Sequence, residues 1–230
     1  MQRSPDAVML FAAGFGTRMR ELTRDKPKPM IEVAGRPLIT HALELAKAIQ
    51  PARIAANLHY KPEPLQALLE PENVQISLES PEILDTGGGL RHALPLLGDG
   101  PVFTMNTDAI WKGPNPLQLA LEAWDPDAMD ALLVCVPLDR AVGRPGGGDF
   151  SADAEGRISR SGNLVYGGVQ ILKTDGLHHV EEQVFSLNVL WNKMAADNRL
   201  FALEYPGRWC DVGHPEGITL AEELIAADDV

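Results

Sequence analysis

Apolar residues run from Ala7 to Ala12 without a polar break, as in a strand buried on both faces of a parallel sheet. From Leu38 the period changes. Leu38, Ile39, Ala42, Leu43, Leu45, Ala46 and Ile49 recur at helical spacing, with Pro37 in front and Pro51 behind. Proline is accepted at a helix start and cannot continue a helix, so the pair brackets one. The alternation then repeats, with strands predicted at Arg53 to Leu58, Val74 to Leu78, Val102 to Met105 and Ala131 to Val136. Helices are predicted between them at Pro64 to Leu69, Leu90 to Leu97 and Pro116 to Trp124. Such alternation builds right-handed βαβ units on a parallel sheet, an α/β fold.

The rhythm breaks after residue 137. Four glycines and a proline fall between Gly143 and Gly148, and Phe150 to Leu172 reads as short strands cut by Gly156, Gly162, Gly167 and Gly168. The stretch 137–173 is therefore expected to form hairpins that cap the ligand edge of the sheet. Val184 to Ala196 reads as a helix, Leu200 to Tyr205 and Arg208 to Val212 as strands, and Pro215 to Ala227 as a closing helix. The simplest organisation is one domain over residues 1–230.

Composition narrows the class. Hydrophobic residues make up 45% and charged residues 23% of 230 positions, ordinary for a globular protein and unlike disordered or fibrous chains. No apolar stretch reaches membrane-spanning length, and the amino-terminal one is too short for a secretory signal, so a cytoplasmic location is expected. A formal charge of −12 disfavours nucleic acid or an anionic membrane as partner, since both need a broad basic footprint. The charge is uneven: residues 1–36 carry +3, leaving −15 for the remainder. A small basic site in an acidic body suits a polyphosphate ligand.

That site is predicted around Ala12-Ala13-Gly14-Phe15-Gly16-Thr17-Arg18-Met19 and Lys26-Pro27-Lys28-Pro29-Met30. A glycine turn closing a strand lets backbone N–H groups approach phosphate oxygens, while Arg18 and Lys28 neutralise charge that the backbone only orients. Two common alternatives fail on spacing. A dinucleotide fingerprint needs a third glycine where Met19 stands, which argues against a nicotinamide enzyme, and a P-loop needs a longer glycine spacing followed by Lys and Ser or Thr.

Ligands of an open α/β sheet bind beyond the carboxyl ends of its strands. The loops there hold Asn57, the run Asp85-Thr86-Gly87-Gly88-Gly89, Asn106-Thr107-Asp108 and Asp211. Asp108 and Asp211 each close a strand, and two carboxylates converging with substrate phosphates form a minimal Mg²⁺ site. The glycines at 87–89 are expected to lie flat against a base or ribose, and Asp149 and Gly168 to shape a sugar pocket. Cys135, Cys210 and the six histidines show no metal-ligand spacing, so zinc chemistry and a cysteine nucleophile are not expected.

With these residues assembled, the chain resembles the sugar-1-phosphate nucleotidyltransferases. The carriers are the 12–19 turn, Pro27-Lys28-Pro29-Met30, Gly35-Arg36-Pro37-Leu38-Ile39, Thr86-Gly87-Gly88-Gly89, Asp108 and Trp209-Cys210-Asp211-Val212-Gly213. Within that family, Thr86 to Gly89 and Gly148-Asp149-Phe150 look most like the branch of N-acetylmuramate-1-phosphate uridylyltransferases. Mannose-1-phosphate guanylyl- and glucose-1-phosphate thymidylyltransferases are the alternatives.

The resemblance implies a Rossmann-like three-layer sandwich with a mixed, mainly parallel sheet and a small β-hairpin sugar-binding subdomain. It implies Mg²⁺-dependent transfer of a nucleotidyl group from a nucleoside triphosphate to a sugar-1-phosphate, with UTP and N-acetylmuramate 1-phosphate as substrates in cell-wall recycling. Arg18, Lys28 and Asp108 would be catalytic, Asp108 and Asp211 would hold Mg²⁺, and Ala12, Ala13, Gly14, Gly16, Thr17, Asn57, Asp85, Thr86, Gly88, Asn106, Asp149 and Gly168 would contact substrates. Two positions depart from the family. Thr107 stands where glycine is usual and is expected to crowd the nucleotide, and Glu32 stands where proline is common. These departures keep a catalytically silent nucleotide-sugar sensor open as a second class. Trp111, Trp124 and Trp191 suit either a core or a homodimer interface.

Overall fold

The structure, a computed structural model, describes residues 4–227. The chain opens with β1 (Ala7–Phe11), a short ribbon of β2 (Glu32–Val33) and β3 (Arg36–Pro37), α1 (Leu38–Ala48), β4 (Arg53–Leu58), α2 (Pro62–Leu69) and β5 (Gln75–Leu78). Next come α3 (Asp85–Leu97), β6 (Val102–Asn106), β7 (Ala109–Lys112), α4 (Pro116–Ala123), β8 (Ala131–Pro137) and β9 (Ala141–Val142). The remainder is β10 (Gly148–Ala152), β11 (Ile158–Gly162), β12 (Leu164–Leu172), α5 (Asn188–Ala196), β13 (Leu200–Glu204), β14 (Arg208–Asp211) and α6 (Glu216–Ala226).

The central sheet is mixed. Strands β6, β1, β4 and β5 lie side by side in parallel, as do β8 and β13, while β12 runs antiparallel to β6 and β8. Only β12 and β11 oppose the common direction, so the sheet is mainly parallel. Strand β12 is long enough to change partners on one edge. Its first half pairs with β10 and its second half with β6, and the ladder to β8 shifts register between Tyr166 and Val169. Gly167 and Gly168 occupy that irregularity, and a Cβ at Gly167 would stand 2.4 Å from the Trp111 ring. A bulge bends the strand and lets one strand serve two sheet directions. The 137–173 stretch thus contributes a hairpin, β10–β11, attached to the sheet rather than separate from it.

Alternation along β1 assigns the layers. Val8 and Leu10 pack with Ile39 and Leu43 of α1, Leu65 and Leu69 of α2, and Leu117 of α4. Ala7 and Met9 face the other side with Leu90 and Leu97 of α3 and Leu190 and Trp191 of α5. A two-residue period divides one strand between two cores. A third apolar cluster joins Met19, Ile31, Val33 and Leu38 to Ile110, Cys210 and Val212, under a three-stranded sheet of order β7-β14-β9. No described helix is long and apolar enough to cross a membrane.

The sequence reading has no counterpart for β2, β3, β7 and β9, and two helices start four or more residues from where it places them. The helix expected from Leu90 begins at Asp85 and takes in the three glycines, and the helix expected from Val184 begins at Asn188. Both differences have one cause. Gly87 and Gly88 donate to the Phe185 carbonyl at 2.9 and 3.1 Å, so the 183–187 segment is held as a strap over the first turn of α3.

Candidate active site

The amino-terminal turn is fixed from below. Gly16 sits at φ +64°, and a Cβ there would lie 2.7 Å from Lys28 Cβ and 2.9 Å from Thr23 Cγ2. Only glycine meets both the left-handed backbone and that approach. Gly14 carries no such demand, with nothing within 4 Å of the place a Cβ would take. Thr23 Oγ1 donates to the Gly16 carbonyl at 3.0 Å, and Met19, which occupies the third-glycine position, is fully buried as the turn's apolar anchor.

Lys28, itself buried, reaches Asp108 with Nζ 2.7 Å from Oδ2. Side-chain exposures of 10% and 33% place this pair at the floor of a cleft rather than on open surface. Asp211 comes to the same place by pairing: it is opposite Ala109 in the β14–β7 ladder, and Val212 donates to the Asp108 carbonyl at 3.0 Å. A Cβ at Gly213 would stand 2.9 Å from both Asp211 carboxylate oxygens, so glycine there leaves room for the carboxylate. Burial raises the Asp211 pKa and the neighbouring Asp108 charge raises it further, against the cations of Lys28, Arg18 and Arg144. A buried carboxylate whose ionisation is opposed by a second one beside it fits a divalent cation, which would relieve that repulsion. Among the described residues no three His, Cys, Asp or Glu side chains form a metal cage. Any ion held there would therefore complete its shell from substrate and water.

A cleft of about 330 Å³ lies above this pair, bounded by the glycine turn, Arg18, Asn57, Ile83, Asp85, Thr86, Asn106 and Gly213. A second cleft of about 330 Å³ adjoins it, sharing Phe11, Asp85, Thr86 and Asn106. Its far walls are Arg144, Asp149, Arg160, Tyr166, Asn188 and Trp191. The structure therefore brings together Ala12, Ala13, Gly14, Gly16, Thr17, Arg18, Lys28, Asn57, Asp85, Thr86, Asn106 and Asp108 along one cleft, with Asp149 in its neighbour.

Two of the expected contact residues lie outside both clefts. Gly88 does not line either cleft: it lies inside α3, its N–H is taken by Phe185, and a Cβ would stand 2.3 Å from the Gln183 carbonyl. Its neighbours are likewise packing glycines, Gly87 against the Phe185 ring and Gly89 against Glu79 and Asn57. Gly168 also stays outside the clefts, where its lack of a side chain makes room for Asn106, 2.8 Å from a Cβ. Thr107 is buried and its Oγ1 donates to the Phe11 carbonyl at 2.7 Å. The hydroxyl thus braces the ends of β6 and β1, while the residue itself lines the first cleft. Glu32, the other departure, is exposed on β2 and lines neither cleft.

Sequence reasoning missed Ile83, Arg144, Arg160, Tyr166, Asn188 and Trp191. They come from loops, strands and helix α5 far apart in sequence with no local motif, and only Arg144, inside the glycine-rich run, had any signal. Neither cysteine is a nucleophile candidate, since burial pushes the Cys210 thiol up to about 11 and the Cys135 thiol higher still.

Comparison with known proteins agrees with this geometry. Residues 8–181 match the MobA-like NTP transferase domain. The chain is 38% identical to an N-acetylmuramate alpha-1-phosphate uridylyltransferase of Caulobacter vibrioides, over 98% of this chain and 99% of that protein. It is 30% identical to a mannose-1-phosphate guanyltransferase of Hypocrea jecorina, over 90% of this chain but 61% of that longer protein. Among solved structures, HddC from Yersinia pseudotuberculosis complexed with GMP-PN superposes with a TM-score of 0.75 at 22% identity, covering 95% of this chain and 99% of that one. A putative glucose-1-phosphate thymidylyltransferase from Bacillus anthracis gives 0.80 at 15% identity, covering 97% and 96%. At those identities the two structures speak for the fold alone. The domain match and the curated relatives go further: the chain belongs to the sugar-1-phosphate nucleotidyltransferase family and is a nucleotidyltransferase with a MobA-like NTP transferase domain.

Proposed function

We propose that this enzyme transfers the uridylyl group of UTP to N-acetylmuramate 1-phosphate, in the cytoplasm and with Mg²⁺, as a step of cell-wall recycling. The observation that carries the reading is the Lys28–Asp108 pair at 2.7 Å, with Asp211 beside it, in the first of two adjoining clefts. The cleft under the glycine turn suits the nucleotide, and the cleft beyond Asp85, Thr86 and Asn106 suits the acceptor. The choice of uridylyl and muramate rests on the 38% identity to the Caulobacter protein.

In this reaction a phosphate oxygen of the sugar-1-phosphate attacks the α-phosphorus of UTP, the bond to the β-phosphate oxygen breaks, and pyrophosphate leaves. Both reactants are anions, so the protein's task is alignment and charge compensation rather than covalent chemistry. The backbone of residues 12–17 receives the triphosphate, Arg18 and Lys28 offset its charge, and Asn57 holds the turn. Asp108 and Asp211 would hold Mg²⁺, which supplies charge neutralisation at the transferred phosphoryl group.

Pyrophosphate release from a panel of UTP, GTP and dTTP against sugar-1-phosphates tests the proposal. Turnover with UTP and N-acetylmuramate 1-phosphate is expected. Turnover with GTP alone would overturn the uridylyl assignment, and Mg²⁺-independent nucleotide binding without any turnover would favour a sensor.

A further inference from the structure

The acceptor cleft contains two guanidinium groups in different electrostatic situations. Arg144 follows β9, which pairs with β14, and the adjacent Gly143 packs on the Asp211 carbonyl, so Arg144 belongs to the phosphate end of the cleft. Its Nη2 donates to Asp149 Oδ1 at 2.6 Å, and Asp149 Oδ2 accepts from the Tyr166 N–H at 3.0 Å. That arginine is compensated by a carboxylate.

Arg160 is not. It extends from the edge hairpin strand β11, and its Nη2 donates to Asn188 Oδ1 at 2.8 Å and Asn192 Oδ1 at 2.7 Å. Its guanidinium lies over the Phe150 ring, 5.0 Å from the centroid. Asn188 and Asn192 are one turn apart on α5, so the two amide oxygens hold the same guanidinium nitrogen, Nη2. Amide oxygens and a ring face orient a guanidinium without cancelling its charge. No Asp or Glu is paired with Arg160 among the described residues. A cation aimed along a cleft wall, held by neutral groups and lacking an internal counterion, is arranged for an anion brought by the ligand.

We infer that Arg160 is a specificity-determining residue that binds a carboxylate carried by the acceptor sugar, a second anionic group distinct from the phosphate that reacts. The inference rests on the transferase reading above and assigns it a substrate class: sugar-1-phosphates bearing an acid substituent, in preference to the neutral hexosamine. Arg160 Nη1 makes no hydrogen bond to the described residues and can donate to a carboxylate while the asparagines hold Nη2 still. Arg160 acts on binding of the acceptor and not on the reacting atoms.

The test compares the wild type with Arg160→Gln and Arg160→Lys on two acceptors, N-acetylmuramate 1-phosphate and N-acetylglucosamine 1-phosphate, which lacks the carboxylate-bearing ether. Removing a charged hydrogen bond of this kind should lower kcat/KM of Arg160→Gln on the carboxylated acceptor by about ten- to a hundredfold. The loss should fall mainly on KM, the neutral acceptor should keep its wild-type kcat/KM, and lysine should recover part of the loss. Equal losses on both acceptors, or none on either, would overturn the inference while leaving the transferase reading in place. If the wild type turns over neither acceptor, that reading fails, and calorimetric titration with N-acetylmuramate 1-phosphate decides the carboxylate site by itself. Binding weakened by Arg160→Gln supports the site; binding that is unchanged or absent removes it. Thermal unfolding of each variant confirms that an exposed side chain has been changed without loss of fold.

Discussion

Asn57 and Glu79, at the ends of neighbouring parallel strands, form a buried hydrogen bond in which Asn57 Nδ2 donates to Glu79 Oε1 at 2.7 Å. The pair is a bridge between the two walls of the nucleotide cleft. Asn57 Oδ1 accepts from the Ala12 N–H at 2.9 Å, holding the entry to the glycine turn, and Glu79 Oε2 accepts from the Leu84 N–H at 2.7 Å, holding the wall that carries Ile83 and Asp85. Glu79 is 1% exposed, and each of its oxygens has a donor, the condition under which a buried carboxylate is tolerated.

Breaking this bridge should separate the walls. Asn57→Ala leaves the Ala12 N–H and a Glu79 oxygen unpaired, at a cost of about 1–3 kcal/mol. The expected result is a lower unfolding temperature together with a raised KM for the nucleotide and a smaller change in kcat. Thermal denaturation and steady-state kinetics check both, and a variant with wild-type KM would show that the turn holds its shape without Asn57.

Asp108→Asn and Lys28→Ala should act on turnover. Removing a preorganised charge at a reacting phosphate costs about a hundredfold to a thousandfold in rate. Both positions are side chains at a cleft floor rather than core packing, so circular dichroism should stay unchanged while pyrophosphate release falls. Near-normal release in either variant would defeat the proposed roles.

Gly88→Ala separates packing from ligand binding. Because the added methyl would meet the Gln183 carbonyl at 2.3 Å, the strap over α3 must shift, at about 1–3 kcal/mol. The expected signature is a lowered unfolding midpoint with nucleotide preference unchanged. A change in base selectivity at full stability would restore Gly88 to the substrate-contacting set.

Asp130 offers a pH test of stability away from the site. Burial raises its pKa, but hydrogen bonds from Lys173 and Arg199, at 2.8 and 2.9 Å, outweigh that and hold it below the ordinary carboxylate value. A depressed folded-state pKa adds stability above the unfolded value and loses it as pH falls through the folded one. Asp130→Asn should therefore destabilise the protein at neutral pH by about 1–3 kcal/mol. The difference from wild type should shrink below about pH 4, where the unfolded carboxyl protonates. A gap that is constant with pH, measured by denaturant titration, would exclude the ion pairs as its cause.

The order of residues alone set the strand–helix alternation, the glycine turn with Lys28 after it, and Asp108 and Asp211 at strand ends, because periodicity and turn chemistry are properties of chain neighbours. The meeting of Asp108 and Asp211 was expected from the sequence, but it comes from the β14–β7 ladder of the separate three-stranded sheet, which sets Asp211 opposite Ala109. The remainder depended on contacts between distant segments. The glycines at 87–89 read as a ligand surface, yet the 183–187 strap, nearly a hundred positions away, takes the donors and free space of Gly87 and Gly88, while Glu79 and Asn57 fill the space at Gly89. The acceptor cleft is assembled from Arg144, Asp149, Arg160, Asn188 and Trp191, which meet only because β12 bends at Gly167 and Gly168 and changes partner from β10 to β6. Pairing between distant strands has no local signature, so the acceptor cleft emerges only once the sheet is closed.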